Sequence, residues 1–191
     1  PGFLDTNLRR MHPGAKPKPE ESAENMKRYK MIRRFIRENA DRPFFCYLPT
    51  NAPHGPHIVP KQYAEPYAKA AGRNANRIGM ISNIDENFGR LETRLGELGL
   101  ADNTILVFMT DNGTATGVEL DSKQNPQEGP GSYNAGMRGK KGSPYEGGHR
   151  VPFLVRFPNG QVAGGRDMPA LASYVDFMPT LLELCNADVP S

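Results

Sequence analysis

Thr104-Ile105-Leu106-Val107-Phe108-Met109, followed at once by Thr110-Asp111-Asn112-Gly113, reads as a strand running into a polar turn. The run is apolar or β-favouring throughout, without polar alternation, which suits a strand covered on both faces. Upstream of it, Ile81, Ile84, Phe88, Leu91, Leu95 and Leu98 recur at helical spacing. They predict an amphipathic helix from about Asn74 to Leu98, closed by Gly99. Further upstream, Phe44-Phe45-Cys46-Tyr47-Leu48 is a second short apolar run and a second buried strand, with Cys46 as a small core residue. Strand, helix and strand in that order predict an α/β fold with a largely parallel sheet.

The rest of the chain fits around that unit. Residues 1–21 hold Pro13, Pro17 and Pro19 with little apolar content and read as an extended arm. From Ser22, a plausible N-cap, Met26, Tyr29, Ile32 and Ile36 predict a helix that Asp41-Arg42-Pro43 ends. Pro49, Pro53, Pro56 and Pro60 make a rigid loop after the first strand, and a weak helix from about Lys61 to Ala71 follows. Residues 113–148 lose all periodicity, and such a stretch inside a domain is commonly a functional loop. Val151 to Phe157 restores strand character. Tyr174 to Cys185 reads as a helix with Asp176 as N-cap and Pro179 in the first turn.

The chain's 191 residues can bury one real core. With 24 Lys+Arg against 21 Asp+Glu, the net charge of +3 is too weak for a nucleic-acid binder. No apolar run reaches the ~18 residues of a membrane span. Two Cys rule out a disulfide framework or a Cys-rich zinc site. The sequence opens on Pro1 without a signal-peptide pattern, as a processed product or a piece of a longer chain would.

In an open α/β sheet, ligands sit beyond the carboxyl ends of the strands. Three polar clusters lie there. Asp111-Asn112-Gly113 places a carboxylate beside an amide oxygen, donors that suit Ca²⁺ or Mg²⁺. The same triplet is also ordinary turn chemistry. His54, in Asn51-Ala52-Pro53-His54-Gly55-Pro56, stands on a proline-stiffened loop where it could donate a proton or contact an anion. It could equally be a surface histidine, and His57 has a weaker case. Arg138-Gly139-Lys140-Lys141-Gly142-Ser143-Pro144-Tyr145-Glu146-Gly147-Gly148 combines close-approach glycines with cations that could hold a sulfate or phosphate. A solvated basic loop is the alternative, and a Walker loop is excluded by spacing. Together the three clusters describe hydrolysis or transfer of an anionic ester.

Four segments in order resemble the sulfatase (arylsulfatase) family: Pro43 to Pro56, Gly79 to Leu91, Thr110 to Thr114 and Gly139 to Pro152. The resemblance spans about residues 40–185. It implies an alkaline-phosphatase-like fold, a mostly parallel or mixed sheet flanked by helices, present here in part. Residues 22–191 would be the C-terminal half of the catalytic domain, lacking the small C-terminal domain. By resemblance, Asp111 and Asn112 would ligate the divalent cation, usually calcium. His54 would contact the sulfate and protonate the leaving alcohol, and Lys141 would bind the same sulfate or the bridging oxygen. The family's nucleophile is a formylglycine made in a Cys or Ser, any residue, Pro or Ala, any residue, Arg pattern. Neither Cys46 nor Cys185 begins that pattern, and no Ser does.

The nucleophile and the other carboxylate ligands are therefore expected from a missing N-terminal half, and the isolated chain is expected to be inactive. The implied substrate is an aryl or carbohydrate sulfate, and the implied location is periplasmic or secreted. A metal-dependent phosphatase or phosphodiesterase relative, and a non-catalytic anion-binding module, are the competing readings. Gly117 to Tyr133 is a candidate leaving-group loop.

Overall fold

The computed structural model describes residues 2–5, 30–71, 74–115, 135–160, 162 and 165–188. Ser22, Met26, Tyr29 and the 117–133 loop lie outside them. In chain order the elements are strand β1 (Gly2–Asp5), helix α1 (30–38), strand β2 (Phe44–Tyr47) and the short helices α2 (Lys61–Ala64) and α3 (Ala68–Ala71). The long helix α4 (Ala75–Glu97), strand β3 (Leu106–Met109), helix α5 (Glu146–His149), strand β4 (Phe153–Arg156) and helix α6 (Tyr174–Leu184) complete the order.

The core forms where α1 and α4 meet the strands. Ile32, Ile36 and Leu95 are its buried centre, and Phe35, Phe44, Cys46, Leu91, Leu98, Leu100 and Leu106 pack around them. Ile32 and Ile36 share a face because four residues is about one helical turn. Phe35 and Phe44 meet edge to face with ring centroids 6.0 Å apart, and Phe88 of α4 meets Phe108 of β3 in the same way at 5.6 Å. Leu95 is only 1% exposed, and burying such a side chain stabilises by about 2–3 kcal/mol.

Helix α4 answers to two neighbours. Its C-terminal half follows the predicted stripe, but in its N-terminal half Ala75, Gly79 and Met80 are buried while Ile81 is exposed. There α2 lies across the helix, and Tyr63 of α2 donates to Glu86 at 2.6 Å. Tyr67 and Ser82 share a hydroxyl hydrogen bond of 2.7 Å. Contact with α2 selects a different face from the one that serves the strands.

Strand pairing departs from a single largely parallel sheet. β1 pairs in parallel with β2, so the strand–helix–strand unit is β1–α1–β2. β3 pairs antiparallel with β4 in the register Leu106 to Arg156 and Met109 to Phe153. β2 and β3 belong to separate two-stranded sheets among the described residues. Both still touch one core, to which β2 gives Phe44 and Cys46 and β3 gives Leu106. Part of the segment read as an extended arm, Gly2–Asp5, is thus a paired strand.

The expectation of strands buried on both faces is also corrected. In β2, Phe44 and Cys46 turn inward while Phe45 and Tyr47 are exposed. Phe153 and Leu154 of β4 are likewise exposed. In the β3–β4 pair, Phe88 of α4 meets Phe108 and Phe177 of α6 meets Phe153, yet Met109, Phe153 and Leu154 keep much of their surface exposed. At α6 the N-cap is Ser173, and Asp176 is the third helical residue, its Oδ2 accepting the Ser173 N–H at 2.7 Å. That is capping-box geometry. Pro179 consequently lies in the second turn. Phe177 anchors α6 on β4 through an edge-to-face contact with Phe153 at 6.3 Å.

Candidate active site

β3 delivers its last residues into the turn Asp111–Thr114, and β4 receives the chain from the loop that ends at α5. Because β3 and β4 are antiparallel partners, the C-terminal end of one lies beside the N-terminal end of the other. The two loops are therefore neighbours, and hydrogen bonds join them. The Gly113 N–H donates to the Gly148 carbonyl at 3.0 Å, and the Lys141 N–H donates to the Thr114 carbonyl at 2.9 Å. At Gly113 a β-carbon would collide with the Gly147 carbonyl, so only glycine permits this approach.

The second loop is closed on itself. The Gly147 N–H donates to the Arg138 carbonyl at 2.8 Å, the Ser143 N–H to the Lys140 carbonyl at 2.8 Å and the Gly148 N–H to the Tyr145 carbonyl at 2.8 Å. The Lys140 N–H donates to Ser143 Oγ at 3.1 Å. The turn formed by Lys140 to Ser143 has Lys141 and Gly142 at its tip, and Lys140 and Lys141 are exposed.

Its cations divide into two groups. The Arg138 guanidinium lies 3.7 Å over the Tyr145 ring and also donates to the Tyr145 hydroxyl at 2.7 Å. Arg150 pairs with Glu146 at 3.2 Å, an exposed contact worth little in water. Lys140 and Lys141 carry the remaining positive charge of the turn.

His54 stands elsewhere on the chain, on the loop after β2. Its N–H donates to the Asn51 carbonyl at 2.9 Å, and its ring Nδ1 meets the Gly55 carbonyl at 2.8 Å. A carbonyl only accepts, so Nδ1 carries the hydrogen and Nε2 is the accepting ring nitrogen of the neutral form. The peptide bonds before Pro53 and Pro56 are both cis. The loop is tied to the start of α4, where Asn76 Nδ2 donates to the His57 carbonyl at 3.1 Å. Burial, then Arg77, then His54 hold the His57 ring below its ordinary value of 6.5. Sequence reasoning misses Asn76 and the Thr114 carbonyl. Both act through single side-chain or backbone bonds across the fold, which leave no local pattern.

The contacts thus bring the Asp111–Asn112 turn against the Lys141 turn, whereas the bonds of His54 stay within its own loop. Asp111 is exposed and Asn112 half-buried. They offer two oxygen donors, and Ca²⁺ takes six to eight. Among the described residues no three His, Cys, Asp or Glu side chains gather into a group able to hold a metal ion. These residues do not fit a complete cation site.

Residues 6–187 match the model of the sulfatase family. The chain belongs to that family. Among its sulfatase relatives, mouse (Mus musculus) steryl-sulfatase is 34% identical over 82% of this chain and 23% of its own length. Human (Homo sapiens) arylsulfatase A is 33% identical over 81% of this chain and 27% of its own length. The sulfatase chain therefore spans about a quarter of the length of these curated relatives. Its α/β arrangement matches part of the fold of solved sulfatases. A crystal structure of Ps i-CgsB in complex with k-i-k-neocarrahexaose matches it with a TM-score of 0.72 and 29% identity, covering 85% of this chain and 34% of that one. No described helix is long and apolar enough to cross a membrane.

Proposed function

We propose that this sulfatase chain forms one wall of a site that hydrolyses sulfate esters. The observation that supports the reading best is the bonded junction of the two loops, Gly113 to Gly148 and Lys141 to Thr114, which sets oxygen donors beside a lysine turn. An anionic ester needs that pairing: cation-binding oxygens on one side and ammonium groups on the other.

In this proposal Lys141 holds the sulfate or the bridging oxygen and offsets the charge that grows on it. His54, with Nδ1 engaged by Gly55, presents Nε2. In its protonated form Nε2 gives a proton to the alcohol oxygen as the bond from sulfur to that oxygen breaks. Asp111 and Asn112 are two donors of a divalent-cation site whose other ligands come from outside the described residues. A formylglycine, where present, supplies the attacking oxygen in the family's chemistry, and no Cys or Ser of this chain begins its motif. The nucleophile and remaining ligands come from a further segment that also covers the exposed faces of β2 and β4.

The test compares 4-nitrophenyl sulfate with 4-nitrophenyl phosphate, using the longest natural polypeptide that contains these residues. The sulfate should be the better substrate. His54→Ala and Lys141→Ala should each lower kcat/KM by roughly 10²- to 10⁴-fold. The 191-residue chain alone should show no turnover. Preference for the phosphate, unaffected variants, or full activity of the chain alone would each defeat the proposal.

A further inference from the structure

In sequence, the segment from Arg138 to Arg150 offers four cations to an oxyanion, and nothing local ranks them. In the structure they are not equivalent. The guanidinium carbon of Arg138 lies 3.7 Å from the Tyr145 ring centroid, and Arg138 donates to the hydroxyl of the same residue at 2.7 Å. Its backbone carbonyl also receives the Gly147 N–H at 2.8 Å. Arg138 and Tyr145 stand at the two feet of the turn whose tip is Lys141. Side chain and main chain thus close the loop at one place. From there the tip is carried to Asp111–Thr114 through the Lys141 N–H and the Thr114 carbonyl.

We propose that Arg138 is a positioning residue: its stack on Tyr145 clamps the feet of the loop and sets where Lys141 stands, rather than supplying charge to the bound anion. The inference rests on the reading of Lys141 as the oxyanion ligand. A guanidinium suits this task because its delocalised charge can lie over a ring while one of its N–H groups reaches a hydroxyl. An ammonium offers a point charge and cannot reproduce the stack. With its charge over the ring and one N–H on the hydroxyl of Tyr145, Arg138 is held in the scaffold. The ammonium groups of Lys140 and Lys141, on the exposed turn, remain to meet an anion.

The two roles separate in a double-mutant cycle on hydrolysis of 4-nitrophenyl sulfate by the longest natural polypeptide containing this chain. Arg138→Gln, Arg138→Lys and Tyr145→Leu are each made, with Arg138→Gln/Tyr145→Leu as the double variant. A clamp predicts that all three singles lose kcat/KM by roughly tenfold or more, and that the lysine variant fails to rescue. It also predicts a double variant no worse than the poorer single, as expected for two groups acting as one unit. A charge-supplying ligand predicts near-complete rescue by Arg138→Lys and losses that multiply, and that result overturns the proposal.

Amide hydrogen exchange on the same longest natural polypeptide gives a readout that needs no turnover. Arg138→Gln should speed exchange at the Gly147 and Lys141 amides while leaving the α4 amides alone, and unchanged exchange at both would overturn the clamp. If Lys141→Ala leaves activity intact, the oxyanion reading falls. The clamp is then still judged by exchange.

Discussion

Replacing Gly113 by alanine places a methyl group where the structure has no room. The added carbon would overlap the Gly147 carbonyl oxygen and approach the Gly147 carbonyl carbon to 2.9 Å. Both are backbone atoms, so no side-chain rotation relieves the clash. The two loops must part, and the Gly113–Gly148 and Lys141–Thr114 hydrogen bonds lengthen or break. Two such bonds contribute about 1 kcal/mol each. Forcing a methyl into a filled contact costs a further ~1–3 kcal/mol where relaxation is partial. The junction should therefore weaken by about 3–5 kcal/mol, which corresponds to roughly 100- to 4000-fold in a local opening constant. Amide hydrogen exchange at Lys141 and at residue 113 measures that constant. Gly142→Ala is the matched control. Gly142 has φ +86° and open space where a β-carbon would stand, so only backbone strain of about 1–2 kcal/mol applies there. Exchange at Lys141 in Gly113→Ala within twofold of the unsubstituted chain would refute the account of the junction.

Leu95→Ala empties the most buried position of the core and should lower the unfolding free energy by about 2–5 kcal/mol, read from urea denaturation. His57 is favoured in its neutral form in the folded state. Its contribution to stability is therefore full above the ordinary value of 6.5 and falls as the pH drops below it. A ring-proton titration should place its midpoint below that of an unfolded-chain histidine, and His57→Asn should flatten the acid side of the stability profile. The two thiols should react in order: burial pushes Cys46 upward, whereas Cys185 is exposed, so a disulfide reagent under native conditions should label Cys185 first. Asp176→Ala removes the carboxylate that accepts the Ser173 N–H at the start of α6 and should cost about 1 kcal/mol, seen as a lower melting temperature.

Local patterns announce the elements that local physics controls. The apolar stripe of α4, the strand character of Phe44–Tyr47 and Leu106–Met109, and the polar loops that follow them are all legible because side-chain periodicity is a nearest-neighbour property. Four ordered motifs are enough to place the chain among the sulfatases. β1 is not legible: Gly2-Phe3-Leu4-Asp5 is too short to signal a strand, and its partner lies some forty residues along the chain. The antiparallel pairing of β3 with β4 is hidden for the same reason, since a strand's own composition does not name its neighbour. Sequence alone favours Asp176 as the N-cap of α6, whereas Ser173 holds that place and Asp176 makes the reciprocal bond. Both residues are good caps, and only backbone geometry separates them.

The order of chemistry-bearing residues along the chain was settled by the sequence: a histidine after β2, an acid and an amide after β3, a lysine turn before β4. Which of those loops touch was decided by strand pairing, since antiparallel β3 and β4 bring their adjoining turns together. That Arg138 meets the ring and hydroxyl of Tyr145 was decided by the closing of the loop. Residue types carry charge and shape wherever they stand, but partners are chosen by contacts between distant segments, and these exist only once the chain has packed.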